Sequence, residues 1–439
     1  MFTASDTRWD TRARLGTMAE GSGSFTKRFA GRFRGLSANV VALSAVSLLN
    51  DTSSEIIYPL LPTFLAMTLG ASPFAIGLIE GIAESVASLL KLFSGYLSDK
   101  LGNRKLPVFL GYALAALTRP LLSFVATWQQ VLFVRTTDRV GKGIRGSPRD
   151  ALIAGSVPAE RRGFAFGFNR AADHMGAVLG PIFAFLLLYF IAADSSNPTA
   201  REYQQVFLYA SIPVALGLVV IVLFVHEKRA ENGEIEKVPI RFSLKSFDAN
   251  FRRFLVVIAL FTLSNSTDAF LLLRAQQAGI APAVLPLLWM VLHVSKVLSS
   301  LVGGHLSDIL GRRILIVSGW VVYALVYAGF AFVTEPWQAC ALFIVYGTYF
   351  GLTEGTEKAL VADLVDDDKR GTAYGFYNLA FGITVFPASL LFGLVWTKIG
   401  AQTAFLASAV VSIIAAVLFL VLVETRKPSE VPQKGKRNT

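Results

Sequence analysis

One cysteine, Cys340, excludes an internal disulfide framework and any multi-cysteine metal site. Four histidines (His174, His226, His293 and His305) are few for a haem or zinc enzyme. Charge is also scarce. Only 16% of residues are Asp, Glu, Lys or Arg, against about 25% in soluble domains. That deficit argues against a large soluble enzyme, whose surface needs more charge. Disorder is excluded as well, because 34 phenylalanines are far too many for a solvated chain. What is abundant is apolar: 54% of the 439 residues are AVILMFWYC, and mean hydropathy is +0.55. The net charge of +11 would suggest nucleic acid on a soluble protein. On this composition it reads as loops on the cytoplasmic face of a membrane, with no nucleic-acid partner.

Apolar segments long enough to span a ~30 Å hydrocarbon core recur along the chain. They cover 38–66, 73–97, 106–126, 129–154, 164–190, 205–225, 254–276, 283–306, 314–333, 338–361, 371–396 and 402–423. The first run is too long for a signal-peptide core and lacks a clear small-residue cleavage site, so it reads as a retained helix. The domain organisation follows: a basic tail 1–37, a six-helix bundle 38–225, a polar linker 226–253, a second six-helix bundle 254–423 and a tail 424–439. About 28 Lys and Arg fall in the tails, linker and even-numbered loops, and about two on the other side, which puts both termini in the cytoplasm.

The halves repeat, a mark of duplicated transporter folds. Gly95-Tyr-Leu-Ser-Asp99-Lys-Leu-Gly102-Asn-Arg104 follows the second helix, and Gly304-His-Leu-Ser-Asp308-Ile-Leu-Gly311-Arg-Arg313 follows the eighth. Asn50-Asp51-Thr52 matches Asn265-Ser266-Thr267, and Arg162-Gly163 opening the fifth helix matches Arg370-Gly371 opening the eleventh.

With these motifs the chain resembles the bacterial twelve-helix major facilitator superfamily over essentially all of 38–423. The loop signature G-x-L-[SA]-D-x-x-G-x-[RK]-[RK] is nearly complete twice. The resemblance implies an all-α membrane protein of two pseudo-symmetric six-helix bundles, multi-pass in the bacterial inner membrane. It also implies that Asp99 docks at the start of the eleventh helix near Gly371, and Asp308 at the start of the fifth near Gly163. A carboxylate is favoured there by the exposed N–H groups. Gly176-Ala-Val-Leu-Gly180-Pro181 resembles the G-x-x-x-G-P core that family drug/proton antiporters carry, where small residues allow close helix packing. The Gly pair that usually follows the proline is absent.

About 21 charges lie inside these spans, and each is a functional candidate, because a charge near the bilayer centre costs at least ~2.5–3.5 kcal/mol. Asp51 and Glu55 share one face of the first helix. Glu80 and Glu84 follow on the second, and Glu84 aligns with His293 in the repeat. Arg135, Asp138, Arg139, Lys142, Arg145 and Arg149 form a stripe on the fourth helix that cannot face lipid. Either it pairs with the acids of neighbouring helices, or Arg139 and Lys142 meet an anionic substrate. The candidate proton- or cation-coupling groups are Asp51, Glu55, Glu84, Asp173, His174, Asp268 and His293. Candidate substrate contacts are Arg139, Lys142, Asn265, Tyr346, Tyr349, Tyr377 and Asn378. Arg149-Asp150 becomes Glu357-Lys358 in the second half, an inverted charge pair expected to be structural.

No P-loop pattern occurs, so ATP drive is unsupported. No nucleophile–base set stands out, so an enzyme is not expected. The reading is a monomeric secondary transporter that carries a small organic solute by alternating access, driven by protons, with no cofactor and no resident metal. The alternative is an iron or metal-chelate permease that would use Asp51, Glu55, Asp173 and His174.

Overall fold

The computed structural model describes residues 36–101, 103–158, 161–227, 243–366 and 369–424. Twelve helical segments run through them, and no strand occurs among the described residues. We label them α1 (Ala38–Thr68), α2 (Pro73–Leu101), α3 (Lys105–Phe124), α4 (Trp128–Gly155), α5 (Arg162–Ile191) and α6 (Ala200–Phe224). The second set is α7 (Ala249–Gln277), α8 (Leu285–Leu310), α9 (Arg312–Phe332), α10 (Pro336–Asp363), α11 (Arg370–Lys398) and α12 (Ala401–Leu422). Nine are individually long and apolar enough to cross a bilayer, among the described residues. The other three are α4 and α10, which carry several charges, and α8, whose apolar stretch is the shorter Leu285–Ser300.

Every expected span is present, with two departures at the starts. The helix α6 begins at a Thr199 cap whose hydroxyl accepts from Glu202 N–H, and α7 begins at an Asp248 cap that accepts from Phe251 N–H. Each therefore extends about a turn and a half beyond its apolar run. The larger difference is inside α7. A continuous helix was expected, but it breaks between Ser264 and Ala269. Asn265, Ser266, Thr267 and Asp268 are short polar residues that compete with the helix for backbone hydrogen bonds. Thr267 Oγ1, for example, accepts from Ala269 N–H at 3.3 Å.

Packing repeats between the halves. In the first, α1 packs on α5 and α6, α2 on α4, and α3 on α4 and α6; in the second, α7 packs on α11 and α12, α8 on α10, and α9 on α10 and α12. The two bundles meet along α2–α11 and α5–α8. Each bundle is closed by the same device. Asn39 Oδ1 accepts from His226 N–H at 2.8 Å, and its Nδ2 donates to His226 C=O at 2.7 Å. Asn250 does the same to Glu424, at 2.9 and 2.8 Å. Sequence reasoning missed both clamps, although Ser37-Ala38-Asn39 and Asp248-Ala249-Asn250 are the same cap-Ala-Asn signature.

Residues 38 and 422 lie on one side of the molecule, here the terminal side. On the opposite, distal side the α2–α11 seam is tight. A Cβ on Gly77 would collide with the Ser389 carbonyl, and one on Gly393 with that of Pro73. Ser85 Oγ donates to Gly382 C=O at 2.5 Å, and Phe74 N–H to Thr397 Oγ1 at 3.0 Å. On the terminal side, Gly163 and Gly167 of α5 and Gly371 of α11 have no described atom within 4 Å of where a Cβ would sit.

Candidate functional site

The α4 stripe turns inward and most of it is paired. Arg135 holds Glu80 of α2 in a fork, at 2.8–3.0 Å, with both side chains buried. Arg139 Nη2 reaches Glu84 at 3.1 Å. Asp138 is held at 3.0 Å by Arg119 of α3, a partner the sequence did not suggest. Arg119 also donates to Asn50 of α1, through Nη1 to its carbonyl at 2.9 Å and through Nη2 to Oδ1 at 3.0 Å. Arg145 donates to Asn50 Oδ1 and Gly111 C=O and lies 4.5 Å over the Tyr112 ring. Arg149 donates to Ser47, pairs with Asp150 at 3.1 Å and sits 3.9 Å from Asp173, which lies 3.8 Å from Arg170. Bidentate, charge-assisted bonds of this kind let buried guanidinium groups exist at all. The acids paired with the stripe are Glu80 and Glu84 of α2, Asp150 of α4 itself and Asp173 of α5, while Asp51 and Glu55 make no ion pair with it.

Those two acids face the gap between the bundles. Asp51 Oδ1 accepts from the Asn50 amide at 2.9 Å and has no ion pair among the described residues. Glu55 reaches across to α8: Trp289 Nε1 donates to its Oε2 at 2.7 Å, and His293 Nε2 lies 3.8 Å from the same oxygen. The His293 nitrogen is buried and makes no hydrogen bond of its own. Tyr58 adds to the crossing, packing on Trp289 at 4.9 Å between ring centroids and lying 3.5 Å from Thr267 Oγ1 of the α7 break. The face carrying Asp51 and Glu55 is fixed from behind by α5. A Cβ on Gly176 would strike Asp51 and the Leu48 carbonyl, and one on Gly180 would strike Glu55. The Gly176/Gly180/Pro181 motif therefore seats α5 on α1.

One basic group is left over. Lys142, on the same α4 stripe, is exposed and has no ion pair among the described residues. Its electrostatic neighbours are Glu84, Arg139, Asp51 and Arg145. Arg139 beside it has a buried Nε with no acceptor. Both residues are among the substrate contacts expected from the sequence.

The second bundle answers with hydroxyls. Tyr346 donates to Asp268 at 2.7 Å, Asn265 Nδ2 to Tyr349 Oη at 3.2 Å, and Tyr323 to the Ser264 carbonyl at 2.7 Å. Tyr346 and Tyr349 are buried and stacked on one another, so in this conformation they shape the α7 break from within. Tyr377 binds Glu357 at 2.7 Å, and Asn378 is exposed and donates to the Tyr374 carbonyl. The expected Glu357–Lys358 pair does not form. Lys358 turns to Glu354 at 3.2 Å, one helical turn back, and Glu354 is shared with Lys296 at 3.2 Å.

The gating loops are partly visible. The side chains of Asp99, Asp308, Gly95 and Gly304, and all of Gly102, lie outside the described residues, and so do the two docking contacts expected of Asp99 and Asp308. Gly311 has φ +89°, a conformation favouring glycine, and ends α8. Arg313 donates to the Leu420 carbonyl. Arg104 and Lys105 N–H at the start of α3 bind the Glu227 carboxylate, at 3.2 and 2.6 Å. An acid does dock at a helix start here, but it comes from the segment after α6. The proposed metal set does not converge. Glu55 goes to α8, Asp173 goes to two arginines, His174 is exposed, and no group of three such ligands occurs among the described residues.

The sequence matches the Major Facilitator Superfamily family model over residues 43–356 and 254–439. It is 35% identical over 396 residues to an uncharacterised MFS-type transporter of Methanocaldococcus jannaschii, covering 88% of this chain and 95% of that one. The fold matches the crystal structure of the nucleoside transporter NupG (TM-score 0.73, 16% identity, 88% and 99% of the two chains). It also matches that of a D-xylose–proton symporter (TM-score 0.71, 15% identity, 89% and 98%). Duplicated bundles, a charged interior and a full-length match to relatives lead to one conclusion: the chain is a multi-pass membrane transporter and belongs to the major facilitator superfamily.

Proposed function

We propose that this protein is a proton-coupled secondary transporter that moves a small organic anion by alternating access, in the inner membrane with both termini cytoplasmic. The observation that carries the substrate class is Lys142, a stripe cation with neither ion pair nor hydrogen bond among the described residues, with the unfilled Arg139 Nε beside it. An exposed ammonium and a buried guanidinium nitrogen, both without acceptors, favour a ligand able to fill them. The excess of Lys and Arg on the terminal side supports the orientation. Proton drive is supported by Asp51 and Glu55, carboxylates freed from the arginine network, and by the D-xylose–proton symporter that shares the fold.

The test is a thermal-shift screen on purified protein, comparing organic acids with their amide or ester counterparts. Acids are expected to raise the melting temperature and Lys142→Gln to weaken their binding about tenfold or more, the scale of one lost charge-assisted bond. Equal binding of neutral counterparts, or full binding by Lys142→Gln, sinks the anion reading. In proteoliposomes loaded with an acid that binds, Asp51→Asn is expected to abolish pH-driven uptake while substrate exchange persists. Undiminished pH-driven uptake removes Asp51 from the coupling step.

A further inference from the structure

The helices α4 and α10 are both 28 residues long, and Arg149 and Glu357 occupy the same position in them. In the first bundle that position holds a fixed positive charge that is fully engaged. In the second it holds a buried carboxyl, 8% exposed, and no Lys or Arg lies within ion-pair distance of it among the described residues. Its two oxygens are met by neutral donors from different helices. Trp320 Nε1 of α9 donates to Oε1 at 3.0 Å, and the Tyr377 hydroxyl of α11 lies 2.7 Å from Oε2.

The remaining surroundings are accounted for. From α10 itself come Glu354, Lys358 and Tyr349, and Glu354 is shared between Lys358 and Lys296 of α8, at 3.2 Å from each. Tyr374 of α11 points to the Lys358 carbonyl. From α7, Phe254 stacks on Tyr377, and from α12, Phe419 packs on Trp320. Lys358, the nearby cation on α10, is turned away to Glu354 at 3.2 Å, and no Lys or Arg pairs with the Glu357 carboxyl among the described residues. An ionised carboxylate in such a place costs several kcal/mol unless a charge offsets it. A proton removes that cost.

We propose that the Glu357 carboxyl is a second proton-binding site, lodged in the second bundle and separate from the acids on α1. The donors decide where the proton sits. An indole N–H can only donate, so Oε1 must stay an acceptor. A phenol can donate or accept, so Oε2 can carry the proton and donate to Tyr377 Oη over the same 2.7 Å. Proton loss reverses the bond, and the phenol becomes the donor. Because Tyr377 belongs to α11, which forms a seam with α2, the charge on Glu357 is felt at a bundle contact.

Infrared titration of the purified full chain in liposomes reads this site without any substrate. The expected result is a carboxylic-acid C=O absorption that titrates, is lost in Glu357→Gln, and shifts in Tyr377→Phe as the hydrogen bond to Oε2 disappears. Glutamine keeps the shape and can satisfy both neighbours. Should it fail to fold, Tyr377→Phe and Trp320→Phe carry the test. A wild-type-minus-variant spectrum showing only ionised carboxylate from acidic to alkaline pH overturns the proposal. So does a titrating band that neither phenylalanine variant moves.

Discussion

The two bundles share a helix plan and solve the buried-polar problem in opposite ways. The first neutralises charge with charge: Arg119, Arg135, Arg139 and Arg149 each meet a carboxylate. The second meets its interior acids with neutral donors, Tyr346 on Asp268 and Trp320 and Tyr377 on Glu357, and keeps ion pairs such as Glu354 with Lys296 and Lys358 at more exposed positions. An ion pair is stiff in its partners, because breaking it strands two charges in low dielectric. A phenol–carboxyl pair tolerates a change of protonation. The contrast separates a first bundle held by ion pairs from a second held by neutral donors, with Asp51 and Glu55 at the border outside the ionic network.

The sharpest way to break that comparison is to strand a charge. Glu80→Ala leaves Arg135 buried without its fork and should cost about 3–5 kcal/mol of stability. Thermal or denaturant unfolding in detergent measures it, and a loss below about 1 kcal/mol would mean that water reaches Arg135 and the network is not the scaffold described.

This first network was largely legible in the sequence, because charges at helical spacing inside apolar spans can only turn inward and seek opposite charge. Arg119 escaped notice because it sits before Pro120, at the point where α3 tightens into a 3-10 turn, and so reads as a helix end. The second bundle was less legible. The polar run Ser264–Asp268 reads equally as a mid-helix patch or as a break, and only its tertiary bonds to Tyr323, Tyr346 and Tyr349 decide. Glu357 was misread through adjacency. The adjacent Arg149 and Asp150 do pair, through the long reach of a guanidinium, whereas Lys358 takes Glu354, four residues back on its own face.

A smaller perturbation on the neutral side sharpens the contrast. Tyr346→Phe removes one hydroxyl from Asp268 and should cost about 1–2 kcal/mol, the range for one buried hydrogen bond with its acceptor left unfilled. The loss should also shrink toward acidic pH, where a protonated Asp268 no longer needs that donor. The same unfolding measurement run across pH checks both the size and the slope. A loss as large as that of Glu80→Ala would show that the hydroxyl network is as rigid as the ionic one, and the division between the bundles would fail.

The smallest effect belongs to the one polar device the bundles hold in common. Asn39 and Asn250 each make two hydrogen bonds to the backbone just past the last helix of their bundle, at 2.7–2.9 Å. Neither clamp involves a formal charge on its side chain, and both lie at the terminal end, away from the interior where the bundles diverge. Asn39→Ala and Asn250→Ala should therefore cost similar amounts, about 1 kcal/mol each, since the freed backbone groups near the surface regain water. Hydrogen exchange at His226 and Glu424 amides reads the clamps directly, and both should speed up by similar factors of about five to ten, the rate equivalent of that energy. Unequal effects would mean that duplication preserved the geometry without preserving its energetic weight, so that the asymmetry of the interior extends to the ends of the bundles.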